Sequence, residues 1–586
     1  MTFLVLAVSA LLAAAAVSEG NVRETPDPRV RTYVWPTRIV WQSVPEKGFG
    51  ERFRVLDSES LLAPKQGQVP ESGWGGSENG RAQCVLVNDG VPAGVLLDFG
   101  RELHGGVQMA FGSGTLPGMS VRVRFGESVA EAMCDIGEKG ATNDHAIRDD
   151  VVLAPRMGTR EIGNTGFRFV RIDLVSTGHV TLDFVRAVSL MRPMRRLGSF
   201  RCSDERLNRI WETAVRTVLL CCQDYLWDGI KRDRLVWMGD THPETMAILS
   251  VFGSEDDVLP RSLDYMAAVT PTNAWMNNMG TYTLWWVRNV AEWYRFTGDR
   301  SSVERRHAYL SGTLDHMLGF VTSTNTFTGI RRPFLDWPTE HNRPAVNAGV
   351  QGLAVLAFRE GAFLADAVGD SDLAGRCTAA ADRISSQRKI DPCGCKQAAA
   401  MLALSGLRDP KEMFDETLGR DGHAGVSTFY GYYVLEAMSL AGQDRRALET
   451  VRDYWGAMLD VGATSFWEDF NLAWTNGCFR IDELPVAGKK DIHGDYGEFC
   501  YPGFRHSLCH GCSCGPAAWL IRHVLGVRPT SVGCRTYEVK PFLGDLDWAE
   551  GSMALPDGRC VSIRIERDAE GRPKVVRNEI VEAKDR

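Results

Sequence analysis

The segment DGIKRDRLVWMGDTHPE, residues 228–244, places acids and bases among large apolar side chains. Its acids include Asp228, Asp233 and Asp240, and Arg232 lies between the first two. A solvated surface loop usually lacks the apolar residues that separate these charges here. Carboxylate and guanidinium groups hydrogen-bond hydroxyl groups, and a Trp ring can face a sugar ring, so the segment suits a polyol pocket. The alternative is a set of surface ion pairs beside a Trp of the core.

A second candidate acid lies in the segment GATSFWEDF, residues 462–470. Glu468 follows Phe466 and Trp467 and precedes Asp469. An acid flanked by aromatic rings tends to have a raised pKa, or to be held by partners as a base. A Glu that caps a helix is the alternative. Hydrolysis of a glycoside requires two carboxyl groups, one acid and one base or nucleophile, and these two segments could supply them if they face each other.

The elements that must position these acids begin with strands. From about residue 30 to 195, short alternating runs such as GVLLDFG, GVQMAFG and SVRVRFGE are separated by Gly, Pro, Asn or Asp. This spacing predicts an N-terminal antiparallel β-sandwich. Residues 527–586 return to strand-like runs such as YEVKPFL and CVSIRIER, which predict a small C-terminal β-domain.

Residues 196–526 have a helical period between these two strand regions. Ser203 or Asp204 is a capping residue for the first helix. Five helix-to-helix corners each contain a glycine suited to a left-handed cap: Gly253, Gly298, Gly369, Gly406 and Gly442. The repeated helical hairpin predicts a ring of about six hairpins, an (α/α)6 barrel, as the catalytic domain.

Length, charge and composition narrow the class of protein. A chain of 586 residues needs several domains. The net charge of −8 and the lack of a basic run exclude a nucleic-acid partner. Residues 1–20, MTFLVLAVSALLAAAAVSEG, fit a secretory signal, so we expect a secreted or periplasmic protein. No later run of about 18 apolar residues exists, so we expect no membrane insertion. Most of the 15 cysteines are expected to be buried free thiols.

Several motifs together resemble one family. DGIKRDRLVWMGD resembles the signature of glycoside hydrolase family 78, the bacterial α-L-rhamnosidases, and GATSFWEDF resembles its Gly-Ala-Thr-x-x-Trp-Glu segment. HSLCHGCSCGPAAWL is similar to a His followed by a small-residue helix, and DWPTEHN to an Asp-Trp on an inner loop. VLLDFGRELHGGVQ and GFRFVRID resemble the N-terminal β-sandwich of the family. The matches follow in order from about residue 95 to 550.

The resemblance implies an inverting hydrolase on an (α/α)6 barrel. No cofactor follows from the sequence, and we expect no metal because the cysteines around His510 lack a second ligand pair at zinc-ribbon spacing. Asp233 matches the general acid of the family, and Glu468 matches the general base that activates water. The resemblance and the acid–aromatic pattern assign these residues to the sugar pocket: Asp228, Arg232, Trp237, Asp240, Asp336, Trp337, Trp467 and His510.

The chain also departs from the family. Many members have Glu as the acid and Cys-Pro before the Arg, whereas this chain has Asp233 and Gly229-Ile230. An Asp side chain is shorter than Glu and must reach further, so Asp240 is an alternative proton donor. The sequence does not decide which of the three aspartates of the segment is the general acid. The sugar is L-rhamnose or one of similar stereochemistry.

We therefore expect an exo-acting glycoside hydrolase that releases terminal α-L-rhamnose or a similar sugar from glycans or glycosides. One alternative is a six-hairpin hydrolase or lyase on uronic-acid-containing glycans, with Lys231 and Arg234 for the substrate carboxylate. A non-catalytic glycan-binding protein ranks last because both acids are present. Trp285, Trp286 and Tyr282 belong either to the core or to the sugar cleft. The aglycone and the oligomeric state are not predicted.

Overall fold

The computed structural model describes residues 26–44, 54–62, 83–387, 389–499 and 501–582. The predicted signal peptide lies outside the described residues. One helix, Arg343–Val368, is long and apolar enough to cross a membrane by length and composition alone, and most of it is buried against other elements. Eleven of the fourteen cysteines in the described ranges are buried, as expected from the sequence.

The N-terminal region forms an antiparallel sheet of nine strands. The strands are Val30–Val34, Arg38–Gln42, Val55–Leu56, Cys84–Asn88, Ala93–Phe111, Ser120–Gly126, Asp149–Leu153, Gly158–Leu174 and Gly178–Met191. A short helix, Val129–Met133, follows the sixth strand.

The long strand Ala93–Phe111 pairs with Gly158–Leu174 along one edge and changes partners along the other. On that second edge its first half pairs with Arg38–Gln42 and its second half with Gly178–Met191. Buried Val, Leu and Phe side chains fill one core inside this region, including Val95, Leu97 and Val107. The predicted antiparallel β-domain is therefore present at the N-terminus.

The helical region contains six helices that contact one another in a closed circuit. They are Thr241–Val251, Gly280–Thr297, Arg343–Val368, Lys396–Leu404, Gly431–Leu440 and Gly515–Trp519. Six further helices pack against members of the circuit: Glu205–Cys221, Val258–Val269, Arg300–Leu318, Ser371–Ser385, Pro410–Met413 and Asp444–Thr450. Gly456–Asp460 and three π-helical turns, Phe414–Leu418, Val451–Trp455 and Leu520–Val524, complete the region.

The corner glycines of the helical region adopt the predicted conformation. All five have φ values between 68° and 87°, where an L side chain is strained. Gly298 and Gly369 cap the helices Gly280–Thr297 and Arg343–Val368 directly. The helical hairpins could therefore be located from sequence by their turns.

The C-terminal sheet has four antiparallel strands, and one of them comes from before the helices. Ser199–Cys202 pairs with Trp548–Ala554, which is followed by Arg559–Arg567 and Pro573–Glu582. The sequence prediction placed residues 199–202 in the helical domain, whereas their alternating burial and their pairing put them in this sheet. Two small sheets join Val527–Pro529 to Tyr537–Val539, and Cys478–Phe479 to Lys490–Asp491.

Candidate active site

The segment 228–240 is a buried irregular loop that connects two helices. It leaves the helix Glu205–Cys221 and enters the helix Thr241–Val251. The amide of Leu235 donates to Oδ1 of Asp228 at 3.0 Å, which closes the loop on itself. The amide of Gly511 donates to the Asp228 carbonyl at 2.7 Å. The loop is therefore fixed both internally and against the segment that carries His510.

Asp233 lies at the more open side of this loop. Its side chain is 19% exposed, and its Oδ1 lies 3.2 Å from Nδ1 of His145. Asp233 and Arg234 both have positive φ values, 55° and 56°, which non-glycine residues adopt only when their surroundings hold them there. The Arg234 guanidinium donates to the carbonyl groups of Asn164 and His145, so the N-terminal region holds this turn.

Glu468 is buried and has charged partners. Its Oε1 accepts from the Arg232 guanidinium and lies 3.4 Å from Nε2 of His510. Burial raises the pKa of Glu468, but the positive charges of Arg232 and His510 outweigh burial and hold this pKa below its usual value. Glu468 is therefore an ionised carboxylate, which is the state that a general base requires.

One guanidinium group contacts both candidate catalytic acids. Nη1 of Arg232 lies 3.6 Å from Oδ2 of Asp233, and its Nη2 donates to Glu468. The two carboxyl groups are thus separated by little more than one guanidinium group. The sequence predicted that these acids would face each other, and the fold brings them to the same side chain.

His510 is the centre of a second group of acids. Its Nε2 lies 3.4 Å from Asp228, and its Nδ1 lies 3.8 Å from Asp240. Burial lowers the pKa of His510, but the carboxylates of Glu468, Asp228 and Asp240 reverse this effect and raise it to about 9. The ring is therefore an imidazolium at neutral pH, surrounded by three acids.

Asp240 precedes the helix Thr241–Val251 but makes no capping hydrogen bond with its side chain. Its carboxyl instead points towards His510 and towards the Tyr282 hydroxyl, which lies 3.5 Å from Oδ2. Burial raises the pKa of Asp240 to about 7, and burial likewise raises the pKa of Asp228. Tyr282 is itself buried, so it packs in the core and its hydroxyl approaches Asp240 from there.

Aromatic side chains line one side of these acids. Trp237 is half-buried and perpendicular to Tyr282, with ring centroids 5.9 Å apart. Trp337, also half-buried, stacks on Phe499 at 5.8 Å. Asp336, next to it, is buried and accepts from the Ser427 hydroxyl, and burial raises its pKa to about 6.

The structure corrects the prediction for one tryptophan. Trp467 is fully buried and packs edge-on against Phe470 and His506, so its ring supports the Glu468 segment and is not exposed to a substrate. Trp285 and Trp286 are also buried, and the Trp286 indole donates to a backbone carbonyl, so both belong to the core. The helical periodicity and the composition of a sequence do not distinguish buried aromatic rings from aromatic rings that line a cleft.

Two residues at the site were missed by sequence reasoning. His145, from the loop that precedes the strand Asp149–Leu153, contacts Asp233. Glu244 is buried beneath Asp240, and Asp240 and Asp228 add to the effect of burial in raising its pKa well above the usual value. No motif pointed to His145, because its loop meets Asp233 only in the folded protein. Glu244 could have been found, because it lies in the acidic segment 228–244.

Among the residues that the structure describes, two groups of side chains have ligand atoms close enough together to hold a metal ion. Asp240, His510 and Cys512 form one. In the other, which combines Glu127 and Glu131 with a histidine, the Lys231 ammonium lies 3.1 and 3.2 Å from the two carboxylates and takes the place of a cation. The charged His510 ring also disfavours a cation in the first group. The expectation of a metal-free site remains a prediction.

The two bases proposed for a substrate carboxylate have other partners. Lys231 is buried against Glu127 and Glu131, and Arg234 donates to two backbone carbonyls. Neither side chain is directed towards the acids of the site as a free cation. This geometry disfavours the uronic-acid alternative.

Solved structures similar to this chain include rhamnosidases. The GH78 family rhamnosidase of Bacillus sp. GL1 has a TM-score of 0.68 and 22% identity, over 88% of this chain and 54% of that chain. The rhamnosidase from Klebsiella oxytoca with rhamnose bound has a TM-score of 0.65 and 17% identity, over 85% of this chain and 96% of that chain. The Streptomyces avermitilis alpha-L-rhamnosidase complexed with L-rhamnose has a TM-score of 0.63 and 16% identity, over 83% and 48%.

These likenesses show a shared fold, and this chain spans about half the length of the Bacillus protein. The comparison with curated proteins found no match. The sequence of residues 195–384 matches the model of the bacterial alpha-L-rhamnosidase 6 hairpin glycosidase domain. Residues 195–384, which include Asp233 and its loop, are therefore similar to the six-hairpin glycosidase domain of the bacterial alpha-L-rhamnosidases.

Proposed function

We propose that this protein is an exo-acting glycoside hydrolase that releases terminal α-L-rhamnose, or a sugar of similar stereochemistry, with inversion of configuration. The observation that carries the proposal is the pair of carboxyl groups on Arg232: a partly exposed Asp233 and a buried, ionised Glu468. Rhamnose in the structures of two proteins with the same fold supports the choice of sugar.

In the proposed mechanism Asp233 donates a proton to the leaving oxygen while Glu468 takes a proton from the attacking water. The lowered pKa of Glu468 keeps it ionised before the reaction. Inverting enzymes need room for this water, and their two carboxyl groups lie roughly 6.5–9.5 Å apart. A guanidinium group between the two acids is compatible with such a gap.

The sugar hydroxyls would bind to the charged group around His510. Asp228 and Asp240 accept hydrogen bonds from hydroxyls, the imidazolium donates one, and Trp237 covers an apolar face of the ring. Asp228, Asp240 and His510 are buried and would form the floor of the sugar pocket. A closed floor favours binding of a terminal sugar over a sugar within a chain, which supports exo action. The closed circuit of six helices supports an (α/α)6 barrel as the frame, with Asp240 at the start of one of its helices.

The test compares wild type with E468Q and D233N on 4-nitrophenyl α-L-rhamnopyranoside. Loss of a general base or acid lowers turnover by about 10²–10⁴-fold, so E468Q should fall within that range. Proton NMR of the first product should show β-L-rhamnose before mutarotation. Unchanged turnover in E468Q, or α-L-rhamnose as the first product, would contradict the mechanism.

D233N and D240N distinguish the two candidate acids. A variant that lacks the proton donor should lose far more activity on an alkyl rhamnoside than on a 2,4-dinitrophenyl rhamnoside, because dinitrophenolate leaves without protonation. We expect this pattern for D233N and a similar loss on both substrates for D240N. A product panel with an ultraviolet-absorbing unsaturated sugar would instead favour the lyase alternative.

A further inference from the structure

We infer that His145, a residue of the N-terminal β-region, positions the carboxyl group of Asp233 for proton donation to the leaving group. The inference rests on the proposed function, because it concerns the acid of that reaction. It adds a residue from outside the helical region to the group that acts on the glycosidic oxygen.

The contact between the two side chains is direct. Nδ1 of His145 lies 3.2 Å from Oδ1 of Asp233 and also 3.2 Å from the Asp233 backbone nitrogen. A backbone N–H can only donate, so Nδ1 accepts from the Asp233 amide. This bond holds the backbone of Asp233 in its left-handed conformation, and the ring lies directly beside Oδ1.

Arg505 and Asp144 hold the far side of the ring. Nη2 of Arg505 is 3.0 Å from Nε2 of His145, and Asp144 approaches the same nitrogen at 3.5 Å. The ring therefore loses these contacts if it turns away from Asp233.

The ring leaves the other carboxyl oxygen of Asp233 for catalysis. Oδ1 lies beside Nδ1 of His145, whereas Oδ2 faces Arg232, the residue that also contacts Glu468. Oδ2 is therefore the oxygen that is left to carry the transferable proton in the proposed reaction. His145 fixes which face of the short Asp side chain is presented.

The loop of His145 is itself held rigidly. Arg505 bonds to Asp144 as well as to the His145 ring, and the Arg234 guanidinium donates to the His145 carbonyl. Arg148, three residues later, is buried and donates to three backbone carbonyls of the N-terminal region. A side chain fixed from three directions can hold its partner in one orientation.

The experiment compares H145A and H145N with wild type on methyl α-L-rhamnoside and 2,4-dinitrophenyl α-L-rhamnoside. A misplaced acid should lower kcat/KM on the methyl glycoside by about ten- to a hundredfold, mainly through kcat, since small displacements of a catalytic group have effects of this size. The dinitrophenyl glycoside needs no proton, so its kcat/KM should fall less than about threefold. The Asn amide reaches the position of Nδ1, so H145N should recover most of the loss.

His179, on the strand Gly178–Met191 and paired there with Val87, offers a matched control from the same region. H179A should match wild type on both substrates. An equal loss on the two substrates in H145A, or no loss on either, would overturn the inference while the hydrolase itself stands. A wild-type protein that is inactive on both glycosides would overturn the proposed function, and the inference would fall with it.

Discussion

Glu244 is an acid that the site buries without a hydrogen bond. Neither of its carboxyl oxygens has a hydrogen-bond partner among the residues that the structure describes. Burial raises its pKa well above the usual value, and the neighbouring Asp240 and Asp228 raise it further. The folded protein therefore keeps Glu244 as a neutral acid directly beneath the residues that would bind the sugar.

This neutral acid makes stability depend on pH. The folded state holds a proton that the unfolded chain releases above about pH 4.3, so the contribution to stability is complete below that pH and is lost as pH rises towards the folded pKa. E244Q is isosteric and always neutral, so its Tm relative to wild type should increase from pH 5 to pH 8. An increase of roughly 2–4 °C corresponds to about 1 kcal/mol in a large domain.

Thermal unfolding at several pH values measures this difference. The exposed Glu579 is the control residue, and E579Q should give the same difference from wild type at pH 5 and pH 8. A Tm difference for E244Q that does not change with pH would show that Glu244 is ionised in the folded protein.

Residue types and spacing predicted much of the site, but not how its parts are held. The loop 228–240, Glu468 and His510 lie together in the structure. Their segments could be selected from sequence because each combines acids or a histidine with aromatic or small residues, a composition that suits a polyol pocket. His145 and the burial of Trp467 could not be predicted, since both depend on which distant surfaces meet.

The elements show the same division. The glycine corners were predictable because a left-handed turn restricts the residue that can occupy it. The strand Ser199–Cys202 was not, because four residues carry little pattern and their partner strand lies about 350 residues later.

The segment that carries His510 is packed closely against the helix Thr241–Val251. A Cβ on Gly511 would lie 1.5 Å from Oε1 of Glu244 and 2.5 Å from its carboxyl carbon. Both the Gly511 amide and the His510 ring contact Asp228, so any shift of this segment moves the floor of the site. An alanine at this crossing therefore requires the buried Glu244 side chain to move.

G511A should therefore reduce both stability and activity. Overpacking of a tight interior costs typically 1–3 kcal/mol, and the displaced His510 should lower kcat/KM about tenfold or more. Chemical unfolding and kinetics on the 4-nitrophenyl glycoside measure the two effects. In an E244A background the stability cost of G511A should shrink, because the atoms that it meets are gone.

Gly375 provides the control for this substitution. It lies in the helix Ser371–Ser385, and among the described residues no neighbouring atom lies within 4 Å of the position that a Cβ would take. G375A should therefore leave stability equal or slightly higher, since Ala favours a helix more than Gly does. A cost of G511A that is the same with and without Glu244 would contradict the steric explanation.

The candidate site lies at a junction between the N-terminal region and the helical region. Lys231, beside Arg232, is buried against Glu127 and Glu131 of the N-terminal region. On the segment that carries Glu468, the Gly462 carbonyl accepts from Arg168 of the N-terminal region. On the same segment, the Thr464 hydroxyl accepts from the amide of Glu102. Both segments that carry the candidate acids are thus anchored to the same neighbour, so the N-terminal region helps to position the candidate site.

K231M tests this anchoring in the intact protein. Removal of one partner from a buried ion pair typically costs about 3–5 kcal/mol, because the remaining charges lose their compensation. Burial raises the pKa of Glu127 and Lys231 lowers it, with a net value of about 7, so loss of the ammonium should raise it further. We expect K231M to lose stability in urea unfolding and to lose turnover, since Arg232 and Asp233 follow directly in the chain.

The triple variant K231M/E127Q/E131Q separates charge from position. Neutral amides remove the uncompensated carboxylates, so it should regain much of the stability lost by K231M. Turnover should stay well below wild type, because the loop no longer has the ammonium that fixes it to the N-terminal region and to the Phe504 carbonyl. Full recovery of turnover together with stability would show that Lys231 only balances charge, and that the junction does not position the acid.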